Sequence, residues 1–168
     1  MKNRLLLIFF LISASTSAQL IHVDGSKTIG INGAYVKNGF NISSRINFYK
    51  SGNLAYRASL DYERVEFAIS KASIIYANPE LMYTFYTLGD SFFFNVKGGI
   101  LSGVEFISNS ILDKKKSQFF VGENIGFCAE YFISGKIMLN LDLDQRFFQL
   151  SKLGNASLII KLGINYNF

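Results

Sequence analysis

The last fourteen residues, Asn155 to Phe168, read N-A-S-L-I-I-K-L-G-I-N-Y-N-F. Ala156, Leu158, Ile160, Leu162, Ile164, Tyr166 and Phe168 share one parity, and Ser157, Lys161, Gly163, Asn165 and Asn167 share the other. Only Ile159 breaks the alternation. Successive side chains of an extended chain point to opposite faces, so a period of two marks a strand with one apolar and one polar face. If this strand closes the fold, the chain upstream must supply more strands of the same kind.

Working outward, the composition agrees. Only 17% of the residues are charged, while there are 17 Phe, 9 Tyr and a single Pro. A domain of 168 residues could not easily bury so much apolar surface in water, so part of it is expected to face lipid. At the N-terminus Lys2 and Arg4 precede an apolar run from Leu5 to Ile12, and Thr16-Ser17-Ala18 supplies small residues, the pattern of a cleavable signal peptide. Cleavage is expected between Ala18 and Gln19. Residues 1–18 are then the signal, 19–27 a periplasmic lead-in carrying His22, and 28–168 the folded domain. The apolar run is far shorter than the ~20 residues of a spanning helix, and no later window is long enough either. No cysteine follows the cleavage site, which excludes lipoprotein processing. Removing Lys2 and Arg4 leaves fifteen basic against twelve acidic residues, a net charge of +3, with no basic stripe of the kind that binds nucleic acid. Cys128, the only cysteine, cannot form an internal disulfide. An exported, apolar chain without a spanning helix satisfies its backbone in a membrane only as a closed barrel.

Taken in order, the segments support an all-β antiparallel transmembrane barrel of about eight strands. Ile29, Ile31, Gly33 and Tyr35 alternate with Thr28, Gly30, Asn32 and Ala34, and Asn38-Gly39 is a strong hairpin signal. A second strand sets Phe40, Ile42, Ile46 and Phe48 outward. A third sets Leu54, Tyr56, Ala58, Leu60 and Tyr62 outward, until the apolar phase slips at Arg64, which predicts a β-bulge or exit from the bilayer. Ser70 to Ser73 reads as a connection before a fourth strand from Ile75 to Tyr86, in which Pro79 predicts a strand end or bulge. A fifth strand starts at Phe92. Ser108 to Ser117, with Lys114-Lys115-Lys116, reads as a solvated loop. The sixth carries Phe119, Val121, Ile125, Phe127 and Tyr131 outward, with Cys128 as a small packed residue inside, and the seventh Ile137, Leu139, Leu141 and Leu143. The turns near Gly52, Gly89 and Gly135 are short and belong on the periplasmic side, and longer connections face outward. The final strand is expected to pair with the first between Ile29 and Tyr35 and to leave no open edge.

The parity opposite the lipid-facing one holds Arg45, Arg57, Asp61, Glu63, Glu80, Lys97, Glu105, Glu130, Asp142, Asp144, Arg146 and Lys161. Eight strands leave a lumen only wide enough for side chains, so these charges either pair and plug it or line a gated pore. Asp142 with Asp144, and Asp61 with Glu63, each share a face and raise the question of paired-carboxylate catalysis or metal binding. The neighbouring Arg57, Arg146 and Lys161 favour charge pairing. One histidine and one distant cysteine make no zinc site, and a lipid A hydrolase using His22 would require the lead-in to fold over the rim. No catalytic, cofactor-binding or metal residues are therefore assigned. The lysine run is either a solvated loop or a contact for lipopolysaccharide phosphates.

Two resemblances extend this reading. Lys161, Gly163, Tyr166 and Phe168 form a polar–x–Gly–x–x–aromatic–x–aromatic ending that resembles the C-terminal insertion signal of bacterial outer-membrane barrels. It implies outer-membrane localisation, with membrane lipid and the barrel-assembly machinery as partners. Further, Asp61-Tyr62-Glu63, Glu80, Tyr83-x-Phe85, Leu88-Gly89-Asp90, Asn95-x-Lys97-Gly98, Gly103-Val104-Glu105, Gly122, Glu130-Tyr131-Phe132-Ile133-Ser134 and Gly163 through Asn167-Phe168 resemble, in order and spacing, the TraO family of conjugal transfer proteins of Bacteroidetes conjugative transposons. That resemblance implies a non-enzymatic component of a mating apparatus that scaffolds or contacts other transfer proteins. The alternative is a free-standing barrel for envelope stability or adhesion.

Overall fold

The computed structural model describes residues 25–36, 38–50, 53–67, 70–109, 114–151 and 154–168. The expected signal peptide, its cleavage site and His22 lie outside these residues. Eight strands follow one another: β1 (Lys27–Val36), β2 (Gly39–Lys50), β3 (Leu54–Phe67), β4 (Ser70–Leu88), β5 (Phe92–Asn109), β6 (Lys114–Phe132), β7 (Ile137–Gln149) and β8 (Ala156–Asn167). Each pairs antiparallel with its neighbour, and β8 returns to β1 to close a barrel. The alternation of the sequence becomes alternation of burial. In β1, for example, Thr28, Gly30 and Asn32 are buried while Lys27, Ile29 and Ile31 are exposed. Asn38, at the β1–β2 hairpin, takes a left-handed φ of 63° that its short polar side chain tolerates.

The outer surface is a continuous apolar belt. Ile31, Ile100, Ile125 and Leu162 are each more than 60% exposed, a state that only lipid makes favourable on this scale. Aromatic residues flank the belt. Phe92 stacks on Tyr131 with ring centroids 4.3 Å apart near the end where β1 starts and β8 finishes, and Phe40 lies 6.1 Å from Tyr62 near the other. Two such girdles are the mark of a barrel seated between two interfaces. Phe168 is tied to the first strand by a 3.0 Å bond from its N–H to the Lys27 carbonyl.

Several local expectations change. The slip at Arg64 is not a bulge, because β3 keeps register with β2 to Val65 and with β4 to Phe67. Instead the strand runs past the apolar belt, so the rule that apolar side chains face out no longer applies. Ser70 to Ser73 is not a connection but the start of β4, paired with Phe67 through Arg64. Ser108 to Ser117 is likewise mostly hairpin: Asn109 pairs with Lys114 and Ile107 with Lys116. Polar composition suggested loops in both places, yet a strand outside the bilayer needs no apolar face. Pro79 sits in the middle of β4, opposite Ala58, and the ladder to β5 skips Asn78 and Pro79 without a change of register. The bulge of this strand falls elsewhere, between Thr84 and Tyr86. The strands β4, β5 and β6 have 19, 18 and 19 residues, whereas about 9–11 tilted residues cross a bilayer. With the end of β3 they form a wall standing above the outer rim.

The expected closing pair of β1 with β8 is present, but its ladder is shorter than expected. β1 and β8 pair from Thr28↔Asn167 to Gly33↔Leu162 and no further. β1 runs three residues further, to Val36.

Candidate functional site

Inward side chains from eight strands converge on a narrow lumen. All twelve charged residues assigned to the interior from the sequence are at most 6% exposed. Asp142 on β7 is the centre of the arrangement. Its Oδ2 lies 2.7 Å from Arg45 Nη1, and its Oδ1 lies 2.7 Å from Arg57 Nη1 and 3.1 Å from Lys97 Nζ. Lys97 also reaches Glu80 at 3.2 Å and Asp144 at 2.7 Å, and Arg57 reaches Glu130 at 3.3 Å. One cluster thereby joins β2 through β7. Nearer the outer mouth, Lys161 Nζ donates to Asp61 at 2.5 Å, and Arg146 Nη1 donates to Glu63 at 2.7 Å. Asp142, Asp144, Asp61 and Glu63 thus each face at least one cation. Burying an ion is favourable only when partners replace its water.

Carboxamides complete the network, and sequence reasoning singled out none of them as site residues. Arg45 donates from Nε to Asn165 at 3.1 Å and from Nη2 to Asn32. Asn140 donates to Asp142 at 2.8 Å and to Asn32 at 3.1 Å, and Asn165 donates to Asn140 at 3.0 Å. Arg57 Nε donates to Asn47 at 2.8 Å. The signal was present, since each of these asparagines lies on the inward parity of its strand. Gly163 has a place in this network. A Cβ on Gly163 would collide with the Asn32 carboxamide and the Ile31 carbonyl, so the bare backbone is what lets Asn32 reach Arg45 and Asn140.

Apolar layers close the network above and below. Phe132, Met138 and Phe93 pack together by the tight turns, with Tyr49, Ala55, Met82 and Cys128 forming a second cluster. On the outer side Ile74, Tyr76, Leu101, Phe120 and Phe148 form a third. There the Arg146 guanidinium lies 5.4 Å from the Phe148 ring and 5.8 Å from that of Tyr76. Above this layer the outer mouth holds a cavity of about 500 Å³.

The wall beyond the rim is basic. Arg64 and Lys71 both reach Glu66 at 3.3 Å, with side chains 42–61% exposed. The hydrogen bond and charge of Lys71 hold the Glu66 carboxyl below its ordinary range. Arg64, Lys71 and Lys116 line a shallow groove of about 450 Å³ together with Ser73, Ser108 and Phe106.

The architecture is shared with solved structures. The N-terminal β-barrel domain of OprF from Pseudomonas aeruginosa matches with a TM-score of 0.65 at 19% identity, over 86% of this chain and 98% of that one. The attachment invasion locus protein Ail of Yersinia pestis matches with a TM-score of 0.59 at 14% identity, over 87% and 100%. Neisserial surface protein A matches with a TM-score of 0.63 at 11% identity, over 86% and 98%. This chain has the fold of the small outer-membrane β-barrels. No family model matches it, and no curated protein does. The likeness to solved barrels therefore shows the fold, and no more. The residues that carry the TraO resemblance mostly build the barrel itself: Asp61, Glu63, Glu80, Asn95, Lys97, Glu105 and Glu130 face the lumen, and Leu88-Gly89-Asp90 forms a turn.

Proposed function

We propose that this barrel is a non-enzymatic, non-conducting anchor that holds a basic β-wall above the outer membrane for contact with anionic surfaces. The carrying observation is the overrun of β3 to β6. Strands nearly twice as long as a crossing requires are maintained only on one side of the barrel, and Arg64, Lys71 and Lys116 line one groove on the overrun. The charge-filled lumen supports a role at the surface rather than in transport. A structure of Ail in complex with the heparin analogue sucrose octasulfate supports polyanions as the first ligands to test. The barrel in lipid nanodiscs should bind heparin and lipopolysaccharide, with affinity falling as salt rises because exposed charges are screened. Replacing Arg64, Lys71 and Lys116 together by serine should weaken binding at least tenfold. Unchanged affinity in the triple variant would refute the assignment.

A second reading is favoured by the ordered TraO-like motifs from Asp61 to Phe168. In it the same anchor serves a conjugative mating apparatus, contacting other transfer proteins through its wall or periplasmic turns. Deletion of the gene should then lower mating frequency, and transfer genes should adjoin it. Normal mating by the deletion strain would sink this reading while leaving the surface-contact role standing.

A further inference from the structure

The apolar belt is interrupted on β6. Between Phe119 and Tyr131 its outward residues are Val121, Glu123, Ile125, Phe127 and Ala129, while β5 from Phe92 to Phe106 and β7 from Ile137 to Phe147 carry no charge on that face. Glu123 is exposed, lies opposite Ile100 and Phe147, and meets no cation or hydrogen-bond donor among the described residues. A charge on the lipid face carries a cost that grows with depth, and an ionisable group in that setting points to a partner. Beside Glu123 the surface is hollow. A groove of about 880 Å³ is lined by Ile100, Ile125, Phe127 and Leu158, by Glu123 and Gln145, and by Gly98, whose lack of a side chain deepens it.

Register fixes the height of this groove. The row of paired residues that starts at Lys27, where β1 begins, passes through Gly98, Ile125 and Gln145 and reaches Leu158, near the outer end of β8. The strands of a barrel are tilted, so this row climbs the belt as it goes round. Gly98 therefore lies at mid-belt, and Gln145 and Glu123 lie near the outer margin, where the acyl linkages of a lipid are found. A carboxylate offers only acceptors there. Gln145 Nε2 donates to the Arg146 carbonyl at 3.4 Å, which leaves its Oε1 as a second acceptor. A diester lipid also presents only acceptors at its linkages and donates nothing to Glu123. An amide-linked acyl chain with a hydroxyl beside the amide presents an N–H and an O–H.

We propose that this groove binds an amide-linked membrane lipid of the ceramide type. One acyl chain lies over Gly98 against Ile100, Ile125 and Phe127, and the amide N–H and its neighbouring hydroxyl donate to Glu123 and Gln145. The site faces the bilayer, apart from the basic wall, and stands or falls independently of the surface-contact role.

The test places the full barrel in phosphatidylcholine nanodiscs with a trace of sphingomyelin whose N-acyl chain carries a photoactivatable diazirine, or of phosphatidylcholine bearing the same diazirine chain. The two probes share a phosphocholine head and differ in the linkage. Labelled peptides are mapped by mass spectrometry. The segments containing Ile100 and Ile125 should be labelled about fivefold more by the sphingomyelin probe, a preference that one hydrogen bond supports, and unlabelled sphingomyelin should displace it. The belt around Ile31 and Ile42 should show no preference. Glu123→Ala should bring the two probes level at the groove. Gly98→Leu should lower the groove labelling by both, and a Cβ at this position meets only the Asn124 carbonyl, at an ordinary 3.5 Å. Equal labelling by the two probes in the wild-type barrel, or a preference that survives Glu123→Ala, would overturn the proposal. Should Gly98→Leu lose heat-modifiable migration, the Glu123→Ala comparison still decides.

Discussion

Asp142 and Asp144 lie two residues apart on β7, both facing the lumen, yet their removal should have very different costs. In Asp142→Asn the shape is kept and the charge is lost. Arg57 retains Glu130 at 3.3 Å, and Lys97 retains Glu80 and Asp144 at 3.2 and 2.7 Å. Arg45 retains only the carboxamides of Asn165 and Asn32. Breaking a buried pair from one side costs about 3–5 kcal/mol, because the other charge stays behind without its counterion. Asp144 has one cation, Lys97, and although the charges are 2.7 Å apart the contact lacks hydrogen-bond geometry. Lys97 keeps two other carboxylates in Asp144→Asn, so the loss there should be about 1 kcal/mol. Urea unfolding in detergent micelles, followed by heat-modifiable migration, measures both. A double variant, Arg45→Met with Asp142→Asn, removes the stranded charge and should recover part of the loss. Equal destabilisation by the two single variants, or a double variant worse than the sum of its parts, would refute the network as described.

Other outcomes follow from the same geometry. Gly163→Val drives a branched side chain into the Asn32 carboxamide, so it should destabilise by about 1–3 kcal/mol even though the aromatic ending is untouched; wild-type stability in urea would contradict the packing account. Polyanion binding should strengthen on acidification. Protonating Glu66 releases Arg64 and Lys71 from their shared partner, and because its carboxyl sits below the ordinary range, the rise should come below that range. A pH-independent affinity would count against Glu66 as the brake.

Much of the barrel was legible in the sequence because lipid imposes a strict rule on one face of each strand. Within the belt that rule located the strands and assigned Arg45, Arg57, Lys97 and Asp142 to the interior. It failed where lipid ends. Val65, Ile74 and Phe120 lie on or above the outer apolar layer, where inward positions become apolar and outward ones polar, and the strand continuing through them read as slips and loops. Pro79 was misplaced for a different reason: the missing N–H belongs to a stretch where the β4–β5 ladder is already interrupted. The early end of the β1–β8 ladder left no trace in the sequence beyond Ile159, the one residue of β8 that breaks the alternation. Which carboxylate meets which cation depends on the stagger between strands, and alternation alone says nothing about stagger.

The central claim is that paired charges and apolar layers fill the lumen. Single-channel recording of the purified barrel in a planar lipid bilayer addresses it most directly. The account predicts insertion without sustained conductance at moderate voltages. Steady, reproducible open steps from the wild-type protein would contradict it.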